Sequence, residues 1–203
     1  MPLDVDLPPL VLELLAARNA NRDGPRADGP TTEALLTDRG YDAHPAVLAF
    51  EEAYGGLQVF ETEPVPSIQI GPYAFFSATP SYTGHDGQRV PVIYAWDDMY
   101  YSLDGRGWGF TCAAMVEGVG RPSAKNGRQL LTQAILWRVL TTNPTFQTMK
   151  EGKHGAAIAK QLDVPPFMEA TSPTERWWAD ATRLVVEIDR GNGYDHPMTY
   201  ATA

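Results

Sequence analysis

"YYSLDGRGWGF", residues 100–110, is the stretch whose reading decides the fold class of this chain. Two aromatic and apolar runs flank Asp104-Gly105, a pair that closes tight hairpins or their three-to-five-residue relatives. A hairpin there makes its neighbours strands of one antiparallel sheet. Towards the N-terminus, "SIQIG" (67–71), "YAFFSA" (73–78) and "VPVIYAW" (90–96) are rich in aromatic and β-branched residues and are separated by turn signals. "MYYSLD" (99–104) and "WGFTCAAMV" (108–116) continue the series on either side of the turn. Sequential strands with short connections predict an antiparallel meander of five to six strands. Pro91 predicts that its strand begins late or lies at an edge.

Helical spacing frames this region on both sides. Residues 9–20 place Leu10, Leu14 and Ala17 on one face, beside Val11 and Leu15. "NRDGPRADGPTT" (21–32), with two Gly-Pro pairs, reads as a linker or exposed loop. A short helix is predicted from Thr31 or Thr32 to Gly40, and another from His44 to Tyr54, where Val47, Leu48, Phe50 and Tyr54 make an apolar face. The second helix ends in "FEEAYGGLQVF" (50–60). Gly55 is expected to take the left-handed conformation that stops it, and Gly56 to turn the backbone into "LQVFE". After the strands, residues 123–142 return to helical spacing, with Ser123 a candidate N-cap and Gly127 a weak point in the first turns. "FQTMKEGKHGAAIAKQL" (146–162) reads as a helix broken at Gly152 and Gly155. "SPTERWWADA" (172–181) has a capped helix start at Ser172, "TRLVVEID" (182–189) a returning strand, and the tail from Arg190 a loop. The fold class expected is therefore α+β, an antiparallel meander flanked by helices at both ends. Residues 1–30 form an N-terminal helix and linker. Residues 31–203 form one domain, with a C-terminal helical extension from about 143.

Hydrophobic residues make up 43% of the 203 and charged ones 20%, an ordinary globular composition. No apolar run reaches the roughly 18 residues of a membrane span, and the N-terminus lacks the positive region of a signal peptide, so a cytoplasmic location is the expectation. Residues 41–120 hold ten acids and two bases, net −8, against −3 for residues 1–40 and +2 for residues 121–203. Such a middle repels phosphate backbones and argues against nucleic acid as a partner. It either steers a basic partner or is simply a solvated acidic face.

Catalytic motifs are missing from the sequence. There is no G-x-S-x-G elbow, H-E-x-x-H, P-loop or paired Cys-x-x-Cys. "GVGRPS", from Gly118, imitates a dinucleotide loop but lacks the third glycine and the parallel sheet such a loop needs. Cys112 is the only cysteine. It excludes an intrachain disulfide and a thiolate-rich zinc site, and in its apolar stretch it reads as a small buried hydrophobe rather than a reactive thiol. His85-Asp86 and Asp195-His196 supply metal-ligand types with no supporting spacing, and turn roles suit them better. Asp97 and Asp98, as adjacent strand residues, point to opposite faces and do not share one substrate. No cofactor and no catalytic residue is predicted.

Binding has more support. Trp96, Tyr100, Tyr101 and Trp108 alternate with Asp97, Asp98 and Asp104, the mixture of aromatic anchors and charges that protein interfaces favour, although aromatics on one strand face also simply fill a core.

The order of the pieces resembles the SUKH superfamily, an α+β group of bacterial immunity proteins that also includes fungal cell-wall regulators. The matching positions are Phe50, Glu51, Gly55, Gly56 and Leu57 at the helix end, and Asp104-Gly105 at the hairpin, followed by the helix near residue 123. The resemblance spans about residues 31–140. It implies neutralisation of a cognate toxin, often a nuclease or deaminase, by occlusion through one sheet face and its loops. The acidic middle suits a basic toxin. The surface implied comprises Trp96, Asp97, Asp98, Tyr100, Tyr101, Asp104 and Trp108, with Glu51, Glu61 and Glu63 as rim charges. A protein- or peptide-binding scaffold in a biosynthetic or regulatory system is the alternative, with an enzyme of another type behind it.

Overall fold

A computed structural model describes residues 3–60, 68–71, 82–83, 89–90, 92–96, 99–113, 122–152, 154–189 and 198–202. The chain divides into two compact units, one built from residues 1–7 and 15–130, the other from residues 8–14 and 131–203. The class is α+β. No helix among the described residues is long and apolar enough to cross a membrane.

In the first unit, α1 (Pro9–Ala16, shared with the second unit) leads through residues 17–28 to α2 (Gly29–Asp38) and α3 (Pro45–Tyr54). Asp28 caps α2, its side chain accepting from the Thr31 N–H at 2.9 Å, and prolines stand in the first turns, Pro30 second in α2 and Pro45 first in α3. Two short strands, β1 (Gln58–Val59) and β2 (Ile68–Gln69), pair with each other, as do β3 (Tyr82–Thr83) and β4 (Arg89–Val90). The meander proper is β5 (Val92–Trp96), β6 (Met99–Leu103), β7 (Gly109–Ala113) and β8 (Pro122–Ala124), four antiparallel strands in sequential order. Strand β5 starts directly after Pro91 and lies at the edge, as a proline predicts. Among the described residues this sheet has four strands, and one sheet of five to six is not shown. The short β1–β2 and β3–β4 pairs stand apart from the four-stranded meander. "YAFFSA" falls outside the described residues.

The corner after α3 differs from expectation by one residue. Gly55 is extended (φ −52°, ψ 139°), and Gly56 carries the left-handed φ of +82°. A Cβ on Gly56 would also lie 3.0 Å from the Gly24 carbonyl oxygen, so the position excludes a side chain twice over. The supposed linker is tied to this corner. Gly24 N–H donates to the Gly56 carbonyl at 2.9 Å, Asn21 bridges Gln58, and Arg22 donates to the carbonyls of Gly55 and Glu52 at 3.1 and 2.7 Å. Leu36, Val47, Phe50, Leu57, Ile70 and Leu103 are core residues of this unit.

α4 (Gly127–Thr142) runs from the first unit into the second. Ser123 lies in β8, and Asn126 is the cap instead: its side chain accepts the Gln129 N–H at 2.9 Å while the Gln129 side chain accepts the Lys125 N–H at 2.8 Å. In the second unit, β10 (Glu175–Ala179), β11 (Leu184–Ile188), β12 (Met198–Thr202) and β9 (Phe146–Glu151) form an antiparallel sheet in that order, with α5 (Gly155–Gln161) packed on β10 and β11. Three expectations are corrected here. Residues 146–151 are a strand because they pair with β12, not the start of a broken helix. Residues 175–179 are a strand although Ser172 accepts the Thr174 and Glu175 N–H groups as a helix cap does. The tail returns as β12 rather than remaining a loop. The predicted strand over 182–189 is β11.

Candidate protein-binding site

The β6–β7 turn is organised around one carboxylate. Asp104 is fully buried. Its Oδ1 accepts the main-chain N–H groups of Arg106 and Trp108 at 2.9 and 3.0 Å. Its Oδ2 accepts Nε and Nη2 of the Arg106 guanidinium at 3.0 and 2.7 Å. Its carbonyl accepts the Gly107 N–H at 2.8 Å, and its own N–H donates to the Trp108 carbonyl at 3.0 Å. Charge-assisted bonds of this kind are about twice as strong as neutral ones, and they fix the turn before any partner arrives.

On this frame the Arg106 guanidinium lies 4.8 Å from the centroid of the Trp108 ring, within cation–π range. Trp108 is 41% exposed, and Arg106 remains 46% exposed while paired. Gly105 brings the turn against the start of α3, where an added Cβ would meet the His44 ring at 2.9 Å. The tip is thus a rigid display of a tryptophan edged by an arginine whose charge Asp104 matches.

The expected surface is only partly of this kind. Trp108 is exposed as an anchor must be. Tyr101 is buried, and so are Ser102 on the opposite face and Leu103, so this end of β6 is covered on both sides and offers no free face. Asp104, expected in the binding surface, is a buried scaffold, because the turn folds over it. Glu51, expected as a rim charge, is buried too. It is 4% exposed, and burial pushes its carboxyl up to about 7. Trp96 and Tyr100 are placed by backbone register, Trp96 opposite Met99 and Tyr100 opposite both Ala95 and Cys112. Asp97, Asp98, Glu61 and Glu63 lie outside the described residues, as do His85 and His196. The sequence reading passed over Arg106. The available signal was its place between an aspartate two residues before and a tryptophan two residues after. Among the described residues, no group of three or more His, Cys, Asp or Glu side chains is placed to hold a metal ion.

The chain matches no protein-family model, no curated protein and no solved structure.

Proposed function

We propose that this chain is an immunity-type protein that binds a basic protein toxin, such as a nuclease or deaminase, and neutralises it by occlusion. The observation that carries the reading is the pre-organised tip of the β6–β7 hairpin, with Trp108 exposed beneath Arg106 and both held by buried Asp104. Tryptophan and arginine are the residues most enriched among interface hot spots, and a tip fixed in advance loses little entropy on binding. The net charge of −9, concentrated in residues 41–120, supports a basic partner, because opposed potentials accelerate encounter. The likeness of the helix-corner-sheet order to the SUKH superfamily supports the same reading. On it the chain does no chemistry of its own. The peptide-scaffold alternative draws on one observation: β9 lies at an edge of its sheet, where an extended peptide would add a strand.

The test is retention of partners from the native lysate by the immobilised chain at low salt, run beside Trp108→Ala. One basic polypeptide held in stoichiometric amount by the native chain, released by salt and lost from the variant, supports the proposal. Equal retention by the two forms removes the tip from the interface, and retention of short extended peptides alone moves the scaffold reading ahead.

A further inference from the structure

A second feature of the first unit is independent of any partner. Both carboxylate oxygens of Glu51, in the last turn of α3, are buried with no hydrogen-bond partner among the described residues. The same residue's carbonyl accepts the Gly55 N–H at 2.7 Å, and a Cβ on Gly55 would stand 3.5 Å from Glu51 Oε2, so the side chain lies directly under the corner. Across that corner runs the strap of residues 21–26. It is held by Asn21 on Gln58, by Gly24 on Gly56, and by Arg22 on the carbonyls of Gly55 and Glu52.

The charged groups around the corner are committed elsewhere. The Arg22 guanidinium spans the Asp4, Glu52 and Gly55 carbonyls, and Arg26 donates to the Arg22 carbonyl. Asp6 pairs with Arg128, and the Tyr54 hydroxyl donates to the Asp6 carbonyl. Glu52, Asp23 and Asp4 bring no positive charge. Among the described residues none of these groups bonds to the Glu51 carboxylate, and a buried carboxyl without a partner favours its neutral form.

We propose that the α3–β1 corner is a proton-controlled latch: a neutral Glu51 side chain lets the strap of residues 21–26 close over Gly55–Gln58, and loss of its proton releases the strap. An anion with no partner in a buried site is relieved most directly by lifting the corner. That breaks the Gly24–Gly56 bond and the grip of Arg22 on the last carbonyls of α3. The strap then opens more often above neutrality than in mildly acidic surroundings. This inference does not depend on the toxin-binding reading.

The strap carries Arg22 and Arg26, both followed by residues that trypsin accepts, so brief tryptic digestion of the full chain reports its opening. With the carboxyl at about 7 in the closed form against 4.5 when exposed, the open population rises about tenfold between pH 6 and pH 8. Cleavage after Arg22 and Arg26 should rise by that factor in the native chain, relative to Glu51→Gln digested in parallel. The variant stays closed and corrects for the pH dependence of trypsin itself. Hydrogen exchange of the Gly24 N–H in the native chain gives a reading that needs no variant: its protection, corrected for intrinsic rates, should fall about tenfold over the same range. Protection unchanged with pH, or an equal rise in cleavage in the two forms, overturns the latch.

Discussion

The Asp104 carboxylate accepts the main-chain N–H of Trp108 at 3.0 Å from four residues away, so the residue that anchors the turn also aims the exposed indole. Asp104→Asn keeps an acceptor for the backbone groups but gives up the ion pair with Arg106. Asp104→Ala gives up both and leaves N–H groups of the turn unmet. The expected losses are about 1 kcal/mol for Asn and about 3 kcal/mol for Ala in urea unfolding. Equal costs for the two would mean that the pair with Arg106, and not the turn, carries the stability.

Trp108→Ala probes the other half of that relationship. A side chain 41% exposed at a turn tip contributes little to the core, so a stability change under about 1 kcal/mol is expected, with the loss of partner retention as its main consequence. A large drop in unfolding midpoint would show that the indole is structural.

At the corner, Gly56→Ala must place a side chain at φ +82° against the Gly24 carbonyl. The left-handed backbone alone costs about 1–2 kcal/mol, and the collision adds to it. Gly29→Ala is the control, since nothing lies within 4 Å of a Cβ there and the helix gains a better former. Chemical denaturation of both variants should separate them by 2 kcal/mol or more. A neutral Gly56→Ala would mean that the strap does not close on the corner.

Much of this was legible in the sequence, and the failures share one cause. Asp104-Gly105 between apolar runs located the hairpin, Pro91 located an edge, and the glycine pair located the corner within one residue, because each is a local backbone requirement. Residues 146–151 failed because Gln147, Met149, Lys150 and Glu151 are good helix formers, and only the distant partner β12 makes them a strand. Ser172 failed because the same hydroxyl geometry caps a helix or begins a strand. At the candidate site, Trp108 could be singled out by residue type, whereas the Arg106 stack and the burial of Asp104 follow from the path of the turn. Glu51 misled for a similar reason. A glutamate in the last turn of a helix is ordinarily solvated, and nothing local shows that the corner covers it.

That burial adds a component to the pH dependence of global stability. The Glu51 carboxyl titrates at about 7 in the folded chain against 4.5 exposed, so between those values the folded state holds the extra proton. The Glu51 contribution to stability is therefore full below about pH 4.5 and is lost as pH rises towards and through 7, by about 3 kcal/mol in all. Glu51→Gln removes this component, so the native chain and the variant should diverge as pH is raised from 5 to 8, with the variant the more stable at pH 8. Parallel pH profiles for the two proteins would show that Glu51 is solvated in the folded state.

In the second unit, Trp177 and Trp178 are neighbours in β10 and therefore face opposite sides of the sheet. Trp177 is fully enclosed, donates its indole N–H to Glu175 Oε2 at 3.0 Å, and meets the Trp137 ring edge-on at 5.5 Å. Trp178 is half-buried beside Ile158, Ala159, Val185 and Ala201. Phenylalanine at 177 leaves a void and withdraws a donor from a buried carboxylate, for an expected loss of about 3 kcal/mol. At 178 the same change costs about 1 kcal/mol, since part of the ring already meets solvent. The two variants, unfolded in urea under identical conditions, test the strand directly. On a helix the two positions would stand about 100° apart, sharing part of one face, and their costs would converge. A difference of about 2 kcal/mol with Trp177 the larger is the signature of opposite faces, and similar costs would reject a strand at residues 175–179.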